Sequence, residues 1–282
     1  MARSSDISPI SQVLARADAV ADGAESKDSV ATGFPSLDKL LGGGMRRGDL
    51  IVLGGDVGSG KSAFSLAVAM RAAQRGLATA FFSGEMSTER LLERALAIEG
   101  RVRIDDLRQG VTNEAARASV GAAAVRMRSL MPRFEALPAG GVAGLRELVV
   151  GGGLDLIIVD PLQWLARGAG NTDEELSDAI RQLKLLALEQ HIPIFTTSHL
   201  PHLTARDDRR PVLDDFGALG AVKQHADVVL ALFREDMYDR RREIEGATEL
   251  LVRKNRNGGT GYADLYFYAQ WMRFEDMVDP DR

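Results

Sequence analysis

Residues Gly55 to Ser62 read GDVGSGKS, a full match to G-x-x-x-x-G-K-[ST]. These residue types at this spacing hold a polyphosphate. Glycines let the backbone turn its N–H groups inward, so Gly55, Gly58, Ser59, Gly60, Lys61, Ser62 and Ala63 form the candidate cradle, helped by the dipole of the helix that starts there. Lys61 would neutralise charge on the β- and γ-phosphates, and Ser62 would offer its hydroxyl to Mg²⁺. A nucleoside triphosphate with Mg²⁺ is the expected ligand and its hydrolysis the expected chemistry. A glycine-rich turn that binds nothing is the bland alternative.

Four other places carry suitable groups. Asp160 ends LDLIIVD, as an acid at the carboxyl end of a central parallel strand would; it would hold Mg²⁺ directly or through water, or simply end a strand. Glu85 lies in SGEMS, just past the next strand, where neighbouring strand ends share one edge. It would orient or deprotonate a water beside the γ-phosphate, or serve as a first-turn acid favoured by the helix dipole. Ser198 and His199 end IPIFTTSH, a polar tip where a sensor of bound phosphate would lie, although a lone His is also a common structural residue. Arg253, Lys254 and Arg256 cluster further on. They read either as a solvated basic turn or with Lys254 and Arg256 reaching an adjacent subunit's nucleotide, which requires a ring or filament.

The elements that must position these residues follow from pattern. Leu50 to Leu53 reads as a strand into the phosphate loop, followed by a helix through Ala73. Ala78 to Ser83 reads as a strand, and Ser87 opens a helix to about Glu99. Residues 105 to 150 read as helical with a break at Pro132 to Leu137. Further strands are expected at Leu154 to Val159, Ile192 to Thr197, Val228 to Phe233, Glu249 to Arg253 and Tyr262 to Tyr268, the last two forming a hairpin through KNRNGGTG. The alternation predicts an α/β P-loop fold: a central, mostly parallel, twisted sheet flanked by helices, with a C-terminal β-hairpin. Near the start, Ile10, Val13, Leu14, Ala17 and Val20 make an apolar helical face between Ser8–Pro9 and Gly23, to be packed on this chain or on a neighbour.

The 282 residues suit one large domain, with a formal charge of −5 and no cysteine. The acidic balance confines any nucleic-acid contact to a local stripe or channel. Disulfides and thiolate metal sites are excluded. With no signal-peptide core and no run approaching a membrane span, the expectation is a soluble cytoplasmic protein without a membrane partner.

In this order the motifs TGFPSLD, GDLIVLGGDVGSGKSAF, FFSGEMSTERLLERAL, LRQG, LDLIIVDPLQWL, IRQLKLLA, RRPVLDDFGALGAVKQHADVVLALFRED and KNRNGGTG resemble the RecA-like C-terminal motor domain of the DnaB family of replicative helicases. The resemblance runs from Thr32 to Phe274. It implies ATP with Mg²⁺, Lys61 and Ser62 on phosphates and metal, Glu85 as catalytic carboxylate, Asp160 on the Mg²⁺ side, and His199 as a γ-phosphate sensor where the family usually carries Gln. Lys254 and Arg256 fall on the trans-acting positions of a ring, expected to be a homo-hexamer that draws single-stranded DNA. Gln163 and Arg94 match further family positions with open roles. The early helix resembles the linker helix by which subunits grip their neighbours, giving an arm over residues 1–30 and an ATPase domain over 31–282.

Two departures are expected to matter. Only about thirty residues precede the motor, so the family's primase-recruiting N-terminal collar is expected to be missing from this chain, with a separate protein as one candidate source of it. The family's DNA-facing DLRESG stands here as Asp215 to Gly220, DFGALG, without its Arg and Glu. That change should weaken strand binding unless Arg206, Arg209, Arg210 and Lys223 compensate. The competing reading is a RecA-, KaiC- or RadA-like oligomeric ATPase with a regulatory or recombination role and no unwinding of its own.

Overall fold

Leu50, Ile51, Val52 and Leu53 are all fully buried, yet they feed two different cores. Leu50 and Val52 face one side of their strand, Ile51 and Leu53 the other, as a strand covered on both faces by helices must arrange its side chains. The same division holds for Phe81 against Ala80 and Phe82, and for Ile158 against Ile157 and Val159.

The computed structural model describes residues 9–23, 27–110, 113–166, 172–200, 206–239 and 244–277. Helix α1 is Pro9–Ala21, and β1 (Ser29–Val30) pairs antiparallel with β2 (Met45–Arg46) around α2 (Pro35–Leu40). The main sheet takes β3 (Leu50–Gly55), β4 (Thr79–Ser83), β5 (Arg133–Ala136), β6 (Leu156–Asp160), β7 (Ile194–His199), β8 (Val228–Phe233), β9 (Ala247–Asn255), β10 (Gly261–Tyr268) and β11 (Arg273–Asp276). Their order is β11-β10-β9-β8-β3-β7-β6-β4-β5. From β8 to β5 every pairing is parallel, and β9, β10 and β11 extend the sheet antiparallel.

Helices α3 (Lys61–Gln74), α4 (Thr88–Gly100), α5 (Ile104–Gln109) and α6 (Glu114–Met127) precede β5; α7 (Gly141–Val149), α8 (Thr172–Gln190) and α9 (Ala221–His225) complete the set. Side chains of α3, α4 and α6 join the core that holds Ile51 and Phe81, while α7, α8 and α9 cover the opposite face. Phe64 of α3 lies at the centre of the first core, stacked on Phe34 at 4.6 Å between ring centroids and edge-on to Phe274 at 5.6 Å.

The expected strands and hairpin are present, and β5 and β11 add to them. Residues 133–136, read from sequence as a break between helices, form the parallel edge strand β5. Among the described residues the apolar face of α1 is only partly covered: Ile10 is 71% exposed and Leu14 58%, while Arg16 ties the helix to Asp28. Among the described residues no helix is long and apolar enough to cross a membrane.

Candidate nucleotide site

The phosphate loop leaves β3 at Gly55 and enters α3 at Lys61. Gly58 and Gly60 adopt φ of 82° and 104°, values that L side chains avoid. A Cβ on Gly60 would stand 2.8 Å from the Phe274 ring, and one on Gly55 2.6 Å from Ser59 Oγ. Lys61 Nζ donates to the carbonyls of Gly55 and Asp56, both at 2.9 Å, and burial pushes its pKa down. Ser59 Oγ is buried with no hydrogen-bond partner among the described residues. An orphaned hydroxyl and an ammonium resting on loop carbonyls fit a polyphosphate that would satisfy both.

The Asp160 carboxylate accepts from Thr197 Oγ1, and the Ser62 hydroxyl lies near enough to favour its charged form. Burial raises the Asp160 pKa against both hydroxyls. A hydroxyl beside a carboxylate is a hard-oxygen pair suited to Mg²⁺, which takes few protein ligands and completes its shell with phosphates and water. Among the described residues no group of three His, Cys, Asp or Glu fit for a metal occurs.

The registers Ser83↔Asp160, Val159↔Thr196 and Gly55↔His199 gather these groups at one edge of the sheet. Gly84 N–H donates to Asp160 O at 2.9 Å, and a Cβ on Gly84 would meet Trp164 at 2.3 Å. That contact holds the turn from which Glu85 projects. Glu85 Oε1 lies 3.1 Å from His199 Nε2, so both candidate residues face the same opening. Gln163 fixes the tip of β7, donating to Ser198 Oγ at 3.0 Å and accepting from His199 N at 3.2 Å. Arg94 Nε is buried without a hydrogen-bond partner among the described residues, and the Asp160 charge partly offsets the lowering of its pKa by burial.

Lys254 and Arg256 are not at this edge. Leu50 begins β3 beside Asp227 and Val228, and Val228 pairs with Asn255. Leu50 lies five steps from Gly55 along β3, about 16 Å at roughly 3.3 Å per step; Arg256 stands at that far end, and Lys254, in register with Val229, sends its amine back to Ala226 at the same end.

A family model described as DnaB-like helicase C terminal domain matches residues 29–276. The chain belongs to that family. The replicative DNA helicase DnaC of Bacillus subtilis is 32% identical over 258 residues, covering 88% of this chain and 56% of the relative. The replicative DNA helicase DnaB of Geobacillus stearothermophilus is 31% identical with the same coverage. The chain thus spans a little over half the length of these relatives. A solved DnaB-like replicative helicase, described with its interactions with primase, superposes with a TM-score of 0.86 at 23% identity, over 95% of this chain and 66% of that one. A KaiC-like protein from Pyrococcus horikoshii superposes at 0.63 and 14% identity, over 89% and 99%. Both likenesses share the RecA-type sheet.

Within the DnaB-like family frame, the loop at 215–220 takes an unusual backbone. Gly217, Ala218, Leu219 and Gly220 all have positive φ, with Ala218 at 52° and Leu219 at 53°. Leu219 is exposed, whereas Phe216 is buried against Gly54 of β3. Three cations expected to compensate for the missing loop Arg are paired with acids: Arg206 with Asp215 at 2.7 Å, Arg210 with Glu249, and Lys223 with Asp214. Arg209 stands over the Tyr238 ring at 5.0 Å. Sequence reasoning passed over Tyr238, whose hydroxyl donates to Asp56 Oδ2 in the phosphate loop at 2.9 Å. Burial and that carboxylate push its pKa up to about 12.

Proposed function

We propose that the chain is an ATP-hydrolysing motor of the DnaB type, working on single-stranded DNA as a homo-hexameric ring. The observation that carries this reading is the split of the charged groups. Lys61, Ser62, Asp160 and Glu85 converge at one sheet edge, while Lys254 and Arg256 lie at the other, out of reach of the same site. A second copy can bring the two halves together.

In that assembly Lys61 would leave the Gly55 and Asp56 carbonyls for the β- and γ-phosphates. Ser62 and Asp160 would hold Mg²⁺, which supplies charge neutralisation on the phosphates. Glu85 would orient the attacking water and take its proton. His199, held at the tip of β7 by Gln163 and hydrogen-bonded to Glu85, would read whether the γ-phosphate is present. Lys254 and Arg256 would meet the charge developing on the neighbour's nucleotide. Residues 1–30 would serve as the arm that docks α1 on a neighbour, and residues 31–282 as the motor.

A second reading, an oligomeric KaiC- or RadA-like ATPase that does not unwind DNA, is favoured by one observation: Arg206, Arg210 and Lys223 around loop 215–220 spend their charge on acids of the same chain. Strand displacement on a forked duplex, with Lys61→Ala as control, separates the two. The motor reading expects ATP-dependent displacement that the control lacks; brisk ATPase indifferent to DNA and no displacement would select the second.

A further inference from the structure

Both cations given the trans role are gripped by one short stretch of their own chain. Lys254 Nζ donates to the carbonyls of Lys223 and Ala226, each at 2.6 Å. Arg256 donates Nη2 to the Gln224 carbonyl at 2.5 Å and Nη1 to Asp227 Oδ1 at 3.2 Å, and its backbone N–H to Asp227 O at 2.9 Å. The carbonyls of Lys223 and Gln224 belong to the last turn of α9, where a helix leaves acceptors without intrahelical partners.

Asp227 is itself immobilised. It is buried, its Oδ2 accepts from Leu50 N at 2.8 Å and from Lys184 Nζ at 2.7 Å, and its own N–H donates to Leu50 O at 2.9 Å. It therefore ties Arg256 to the first residue of the strand whose last residue opens the phosphate loop.

A β-bulge aims the pair at this seat. Val229 pairs with Lys254 and Leu230 with Val252, which leaves Arg253 as the extra residue. Unbroken alternation would put Lys254 on the face of Leu250 and Val252, in the core shared with α3. The extra residue turns it to the face of Leu251, in the core that also holds Val222 of α9. Asn255 accordingly swings the other way and donates to Leu40 O of α2.

We infer that Asp227 is a positioning residue for the trans-acting cations: with the carbonyls at the end of α9 it forms a seat that fixes where Arg256 and Lys254 stand at the subunit edge. The inference rests on the proposed trans role. Its consequence is a physical link, because α9 begins immediately after the 215–220 loop, so a shift of that loop moves the seat.

Asp227→Asn keeps the shape but removes the charge, and one amide oxygen must then serve both Leu50 N–H and the guanidinium. Misplacement by about 1 Å costs on the order of a hundredfold in rate, and that loss in turnover is expected with the affinity for a fluorescent ATP analogue unchanged. Mixed assemblies locate the defect. Subunits carrying Asp227→Asn should regain turnover when mixed with Lys61→Ala subunits, which lack a working site but bring an intact seat, and should gain nothing from Arg256→Ala subunits. Wild-type turnover in Asp227→Asn, restoration by Arg256→Ala subunits, or restoration by neither in folded protein would overturn the inference. If Asp227→Asn does not fold, Asp227→Glu keeps the buried charge, displaces the seat by one methylene, and must give the same pattern. A control mixture of Lys61→Ala with Arg256→Ala tests the trans role alone: its failure rejects that reading irrespective of Asp227.

Discussion

Asp160 sits where its charge is costly and useful. Burial raises its pKa, so the folded chain holds that proton more tightly than the unfolded chain does. The stability contributed is complete below the ordinary carboxylate pKa and is lost as pH rises through the raised folded value. Asp160→Asn removes the charge. Its unfolding midpoint without nucleotide should exceed that of the parent at pH 7.5, by about 2–4 °C for each kcal/mol recovered. The gap should narrow as pH falls, while turnover disappears; thermal scans across pH check this, and a midpoint lowered at every pH would contradict it. Glu85→Gln should bind nucleotide as the parent does yet lose turnover by about a hundredfold or more, within the range for a positioned acid or base. Lys61, Ser62, Asp160 and Glu85 were legible in the sequence because each belongs to a short motif with fixed spacing. Thr197 and Asp227 were not, and Gln163 was matched by position without a role, since their parts are hydrogen bonds across 37, 177 and 35 residues that no local pattern encodes.

At the scale of elements, β3 connects the phosphate loop with the 215–220 segment. A Cβ on Gly54 would lie 2.5 Å from the Phe216 ring, so Gly54→Ala must displace Phe216 or bend the strand. Overpacking of this kind costs about 1–3 kcal/mol. The expected outcome is a lower urea midpoint accompanied by weaker single-stranded DNA binding, with Phe216→Ala in the same chain recovering part of the lost stability; a neutral Gly54→Ala would show that the two elements are not in contact. Strands with continuous apolar runs, such as β3, β6 and β8, could be read directly because burial on both faces demands such runs. β5 and β11 escaped that reading. Each carries one buried aromatic, Phe134 or Phe274, among charged neighbours, as edge strands do.

For the whole molecule, α1 presents Ile10, Val13, Leu14 and Val20 to solvent, each at least half exposed. An apolar face of this kind wants a covering surface, and the proposed ring offers one. Removal of residues 1–23 should shift the oligomer towards monomer in sedimentation at micromolar protein while leaving the far-ultraviolet spectrum of the sheet intact; an unchanged oligomer would assign the helix elsewhere. The apolar spacing made this helix visible in the sequence, but spacing gives the face and not its partner. The claim on which the account turns is that each active site takes groups from two copies. Its most direct test is ATP turnover per subunit followed down a dilution series, with the oligomeric state measured in the same samples. The account predicts that turnover collapses in step with dissociation; a per-subunit rate that stays constant in demonstrably monomeric protein would contradict it.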